Sequence, residues 1–245
     1  MRLHTRRFGN LSAPPLICIA GFGDHGGMFE PLGSTPLGER YTVVGVDLPG
    51  TGHSPPSAAP LTLDRAATLV ATEICDADAS IVVGHSVGSI VASLAAGQLD
   101  NRVTSLISLE GNLTLADAYF SGSAADYAAP ARFHSEFLTR LDAIADGDAA
   151  VRRYREQVAT ADPRSIWELG CDVSQWSRIH DPGAVLTQSA PHVSYLFNPD
   201  NIPAESSEWM RRNEIAAIQL DNASHWASVD QPDLVAKVML DALSV

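Results

Sequence analysis

Ile81-Val82-Val83-Gly84-His85-Ser86-Val87-Gly88-Ser89-Ile90 is the stretch from which the rest of the chain can be read. An apolar run dense in β-branched residues leads into Gly-x-Ser-x-Gly, and a small-residue, helix-compatible segment follows from Ile90 to Gln98. That order is strand, sharp turn, helix. A serine at the tip of such a turn has a strained backbone. The residues two positions to either side then need almost no side chain, so that strand and helix can close on each other. Gly84 and Gly88 meet that need. Ser86 is therefore expected to present its hydroxyl at the C-terminal edge of a parallel sheet, with the first amides of the helix aimed at the space above it.

Composition narrows the function class. A chain of 245 residues with 45% hydrophobic content fits one globular domain, or a core with an inserted lid. Its net charge is −13, and no basic cluster goes beyond Arg6-Arg7 and Arg152-Arg153, so a nucleic-acid role has no electrostatic support. The three cysteines, Cys18, Cys75 and Cys171, are odd in number and form no CxxC pair, which argues for a reducing, cytoplasmic location rather than a disulfide framework or zinc site. Arg6-Arg7-Phe8 could open a twin-arginine export signal, but Pro14-Pro15 interrupts the apolar segment that such a signal needs. No run approaches the ~18 apolar residues of a membrane span.

From the Gly-His-Ser-Val-Gly turn outward, the chain resembles the serine hydrolase branch of the α/β-hydrolase fold family over nearly its whole length. Leu16-Ile17-Cys18-Ile19-Ala20 reads as a buried strand ending in Gly21-Phe22-Gly23-Asp24. In the family the loop after this strand supplies the second oxyanion amide. The resemblance puts that donor at the Phe22 N–H, paired with the Val87 N–H directly after the nucleophile. His25 is expected to be an exposed loop histidine or to line the pocket. Tyr41 to Asp47 is a second strand, and Asp47-Leu48-Pro49-Gly50-Thr51-Gly52-His53-Ser54 looks like the family's Asp-x-x-Gly-x-Gly-x-Ser turn, with Asp47 and His53 in structural roles. Residues 1–10 read as an edge strand or hairpin remnant. Leu61 to Cys75 carries helical spacing with Thr62 as N-cap.

Arg102 to Asn112 reads as a strand that ends on Glu110. From Leu113 to about Ser189 the pattern becomes Ala-rich and helical, punctuated by Pro130, Pro163 and Pro182. Length and position resemble the family's inserted helical cap, which divides the chain into core 1–112, cap 113–189 and core 190–245. Phe120, Tyr127, Phe133, Phe137, Tyr154, Trp167 and Trp176 concentrate there, as an apolar lid requires. Strand character returns at Pro191 to Phe197 and again at Asn213 to Asp221, and Gln231-Pro232 opens a closing amphipathic helix. The implied fold is α/β, a mostly parallel sheet with helices on both faces.

Serine at neutral pH is a poor nucleophile and needs a base within hydrogen-bond reach, and the base needs an acceptor that fixes its tautomer. His225, in the loop after the final strand, stands where the family places its histidine. For the acid the resemblance leaves two positions. The family usually carries it after the seventh strand as Gly-x-x-Asp, but here Asn198-Pro199-Asp200-Asn201 puts asparagine at that place and moves the carboxylate to Asp200. Some relatives, haloalkane dehalogenases among them, carry the acid at the end of the sixth strand, where Glu110 stands. A glutamate ending a buried strand needs a partner, and a histidine at the same sheet edge provides one, so Glu110 is preferred over Asp200.

These groups imply attack of Ser86 on an acyl carbon, His225 as base, and an oxyanion held by the Phe22 and Val87 amides. The leading expectation is a carboxylic ester hydrolase acting on a small apolar acyl substrate, with thioester and lactone as variants. A carbon-carbon bond hydrolase with the same triad is the alternative enzyme, and a hydrolase-like small-molecule receptor the alternative of another class. No metal or organic cofactor is implied, and the sequence leaves the oligomeric state open.

Overall fold

A computed structural model describes residues 1–244. Its centre is a seven-stranded sheet in the order β1-β3-β2-β4-β5-β6-β7. The strands are β1 (Thr5–Gly9), β2 (Pro15–Ile19), β3 (Thr42–Val46), β4 (Ile81–His85), β5 (Ser105–Leu109), β6 (His192–Phe197) and β7 (Ala216–Gln219). Only β1 runs antiparallel, against β3, so residues 1–10 do supply an edge strand. The inner strands read Leu-Ile-Cys-Ile, Val-Val-Gly-Val, Val-Val-Gly and Leu-Ile-Ser-Leu and are buried almost throughout, as strands covered on both faces must be. β7 at the far edge is four residues long and mostly exposed, shorter than the span its sequence suggests.

The helices are α1 (Pro36–Arg40), α2 (Leu63–Ala77), α3 (Val87–Gly97), α4 (Pro130–Ile144), α5 (Ala149–Thr160), α6 (Pro163–Ile179), α7 (Pro182–Thr187), α8 (Ala204–Arg212), α9 (Ala227–Asp230) and α10 (Pro232–Ala242). In one layer α2 and α7 pack on α3. In the other, α1, α9 and α10 gather around a 3₁₀ stretch at Gly26–Ser34. Thr62 caps α2 by accepting from the Arg65 N–H, and Pro130, Pro163 and Pro182 each take the first position of a helix, where a missing N–H costs nothing.

Between β5 and β6 the chain is helical throughout: two 3₁₀ stretches at Leu115–Tyr119 and Ser121–Asp126, then α4 to α7. This segment is bonded to the core through α6, whose Glu168 and Asp172 carboxylates accept from the Leu61 and Leu63 N–H groups at the start of α2, an anion placement that the helix dipole favours. The parallel register places His85 beside Leu109 and Leu109 beside Leu196. The residues just past β4, β5 and β6 therefore share one edge of the sheet. Among the described residues, no helix is long and apolar enough to cross a membrane.

Candidate active site

Ser86 lies between β4 and α3 with φ 51° and ψ −129°, a backbone conformation that costs an L-residue energy and persists because its surroundings dictate it. Its own N–H donates to the Leu109 carbonyl at 3.1 Å, which extends the β4–β5 ladder by one residue. A Cβ on Gly84 would run into the Cα of Ser89, and one on Gly88 would lie 2.5 Å from the Ile19 carbonyl oxygen. Strand, turn and helix close as tightly as the sequence suggests. Among the described residues neither the Val87 nor the Phe22 N–H has an acceptor. Val87 opens α3, where the first amides have no intrahelical partner.

Ser86 and His225 line one cavity together with Phe22 and His85 from the core and Tyr119, Phe120 and Tyr154 from the helical segment. The cavity is narrow: the centres of water-sized molecules have about 30 Å³ available to them. Two further carboxylates, Asp24 and Asp117, form part of its wall. Burial raises the Asp117 carboxyl above its ordinary range, against the lowering effect of donors from Ser206, Thr114 and Leu113. Asp24 is paired with Arg153 through two hydrogen bonds of 2.8 and 3.1 Å.

Glu110 follows β5 directly, with φ 52°, and its side chain is fully shielded from solvent. Its Oε1 accepts from the Asn198 N–H at 2.6 Å and from the Asn201 side-chain amide at 3.2 Å. Its Oε2 faces His225 Nδ1 at 3.6 Å. Among the described residues neither of those two atoms has another partner. The separation exceeds hydrogen-bond length, and catalytic contacts are commonly loose before substrate binds. Two buried polar atoms that have only each other form a pair that a shift of a few tenths of an ångström completes. Asp200 is exposed, and among the described residues its carboxylate accepts no hydrogen bond.

His85 holds the His225 loop. Its Nε2 lies 2.8 Å from the His225 carbonyl oxygen and must donate to it. Burial, then the nearby His225, drive its pKa well below the ordinary imidazole value, so His85 is neutral and its Nδ1 is a lone-pair acceptor. Asp47 is fully bonded, by Arg6, His4 and the N–H groups of Gly26 and His53, and stands outside the cavity, while His53 is exposed. Both are structural, as their turn suggests. His25 is a correction. It is neither a free loop side chain nor part of the cavity wall, because its Nδ1 accepts from the Gly27 N–H while its Nε2 meets Gln157 of α5.

Sequence reasoning assigned no part to Asp117 or to Arg153. The first had a signal, since Thr114-x-x-Asp117 is a capping-box pattern and forms one. The second had none, because its partner Asp24 is far away in sequence.

A family model for the alpha/beta hydrolase family matches residues 16–238. The biotin biosynthesis bifunctional protein BioHC of Cellvibrio japonicus is 28% identical over 238 residues, covering 90% of this chain and 46% of that protein. A pimeloyl-[acyl-carrier protein] methyl ester esterase of Methylococcus capsulatus is 38% identical over 101 residues, 40% of this chain and 37% of the relative. The chain thus matches less than half the length of either relative. Among solved structures, 1H-3-hydroxy-4-oxoquinoline 2,4-dioxygenase superposes with a TM-score of 0.80 at 14% identity, over 98% of this chain and 96% of that one. A dioxygenase on this scaffold illustrates that the fold alone does not fix the chemistry. With the family match spanning most of its length, the chain belongs to the alpha/beta hydrolase family.

Proposed function

We propose that this hydrolase cleaves a small-molecule carboxylic ester, thioester or lactone through an acyl-enzyme at Ser86. The observation that carries the reading is the shared cavity of Ser86 and His225, with the buried Glu110 carboxylate directed at the far nitrogen of the imidazole. In the proposed reaction His225 Nε2 takes the Ser86 proton as the serine oxygen bonds to the acyl carbon. The Phe22 and Val87 amides then hold the resulting oxyanion, and the imidazolium, balanced by Glu110, returns the proton to the departing alcohol. Water repeats the sequence on the acyl-enzyme and releases the acid. The name of the Methylococcus relative, a methyl ester esterase, suits ester cleavage.

The helices of residues 113–189 serve in this reading as a cap over the two core parts, 1–112 and 190–245. The narrow cavity suits a short apolar acyl group. With Asp24 balanced by Arg153 and the Asp117 carboxyl raised by burial, the wall suits a neutral substrate.

Steady-state hydrolysis of p-nitrophenyl acetate, butyrate and octanoate, with a vinylogous diketone beside them, tests this. Multiple turnovers of the short esters are expected, with Ser86→Ala lowering kcat by at least about 10³-fold. Turnover of the diketone alone would favour carbon-carbon bond hydrolysis, and a single slow burst without turnover would favour a receptor.

A further inference from the structure

Helix α5 presents consecutive polar residues to the loop after β2. Arg153 donates from both terminal nitrogens to the Asp24 carboxylate, which is 1% exposed. Tyr154 donates its hydroxyl proton to the Phe22 carbonyl at 2.6 Å. One turn on, Gln157 meets His25. Val158 closes on Gly23, the φ +70° residue between Phe22 and Asp24, so that a Cβ there would lie 3.0 Å from its methyl group. Asp24 in turn accepts from the His25 N–H at 2.8 Å. All four residues of the loop Phe22-Gly23-Asp24-His25 are therefore gripped by one helix of the inserted segment.

The same helix reaches the other arm of the site. The Tyr154 ring packs against Trp226, next to His225, with ring centroids 4.8 Å apart. Its hydroxyl is buried, and burial raises its pKa well above the ordinary phenol value, so it remains a donor. Among the described residues, the loop that would supply one oxyanion amide and the loop that would supply the base share no backbone hydrogen bond. Tyr154 touches both.

We propose that Arg153 and Tyr154 are positioning residues through which α5 holds the Phe22 amide and the His225 loop in working register. This rests on the reading of Phe22 as an oxyanion donor. Pinning the Phe22 carbonyl fixes the orientation of that residue, and the Arg153 fork also balances the Asp24 charge, which would otherwise oppose a developing oxyanion in the same cavity. If α5 lifts, both restraints are lost together, so a displaced helical segment leaves a complete set of reacting groups in an inactive arrangement.

Tyr154→Phe keeps the ring on Trp226 and removes one hydrogen bond, and Arg153→Met removes the fork. Each is assayed on p-nitrophenyl butyrate, with active sites counted by fluorophosphonate titration, and against a trifluoromethyl ketone, whose adduct at Ser86 carries an oxyanion. Tyr154→Phe is expected to lower kcat about 10-fold per titrated site with KM within about twofold, and to weaken ketone inhibition by a similar factor. Arg153→Met is expected to do more. Gln157→Ala removes only the contact with His25 and serves if either of the others fails to fold. A drop of about twofold in kcat, matched in ketone affinity, is expected for it. Unchanged kcat per site and unchanged ketone affinity, in a protein that Ser86→Ala still inactivates, would overturn the positioning role and leave the ester reading standing. Activity that survives Ser86→Ala would overturn both.

Discussion

The turns after β3, β5 and β6 each bear a carboxylate, and the three environments differ. After β3, Asp47 is completely bonded: Arg6 and the Gly26 N–H on one oxygen, His4, the His53 N–H and Arg6 on the other. After β6, the Asp200 carboxylate is exposed and accepts no hydrogen bond among the described residues. After β5, Glu110 is half satisfied, with one oxygen held by Asn198 and Asn201 and the other left facing His225. A saturated buried carboxylate has no capacity left for a reacting partner, and an exposed one is screened from any. The half-bonded one is fixed in place and still open toward an imidazole. The turn after β6, where the family often carries the acid, here supplies donors to Glu110, the proposed acid. The side-chain amides of both asparagines also donate to the Ala223 carbonyl, at 2.7 and 3.2 Å, and so anchor the loop of His225.

This contrast sets an order of effects. Glu110→Gln is expected to lower kcat by about 10³-fold or more, because the amide places the wrong charge and tautomer preference beside the imidazole. Steady-state assays with short esters check it. Asp47→Asn is expected to leave kcat of the folded enzyme within about twofold while destabilising it by about 3 kcal/mol in urea unfolding, the scale for breaking a buried ion pair. Asn201→Ala removes one of two donors to Glu110 and is expected to lower kcat by about 10-fold, the lower end for losing an orienting contact. Asp200→Asn closes the series, with kcat within about twofold of the parent. A reversal of Glu110 and Asp200 in this series would transfer the acid's role to the turn after β6.

Acid stability sharpens the same comparison. Burial alone would raise the Asp47 carboxyl, but hydrogen bonds from Arg6, His53 and Gly26 outweigh it and hold the group below its ordinary range. A depressed carboxyl stabilises the fold fully above its unfolded pKa of about 3.9, and that contribution is lost as pH falls through the lower folded value. Unfolding free energy is therefore expected to fall below about pH 4, and less so in Asp47→Asn.

How far the sequence revealed these features depends on range. The Ser86 turn, the Thr62 cap and the Pro232 that opens the closing helix are local patterns, and each forms as read. Helix α8, in contrast, went unread: Ala-Glu-Ser-Ser-Glu-Trp-Met-Arg-Arg buries only Ser206 fully, so no apolar stripe marks it. The strand at β7 is too exposed for alternation to bound it. In the proposed site, motif and position single out the serine and the histidine. They leave the proposed acid open, because adjacent strand ends carry two carboxylates, and only burial and the facing His225 separate Glu110 from Asp200. The contact of Arg153 with Asp24 joins residues far apart in the chain, and nothing in either neighbourhood announces it.

The most direct test of the serine mechanism is covalent. The protein is treated with a fluorophosphonate, digested, and the modified peptide mapped by mass spectrometry in the parent and in His225→Ala. A phosphonyl group on Ser86 in the parent, with labelling slowed at least about 10²-fold in His225→Ala, is the expected result. Ester turnover that continues with Ser86 unlabelled, or labelling at the same rate without the imidazole, would contradict it.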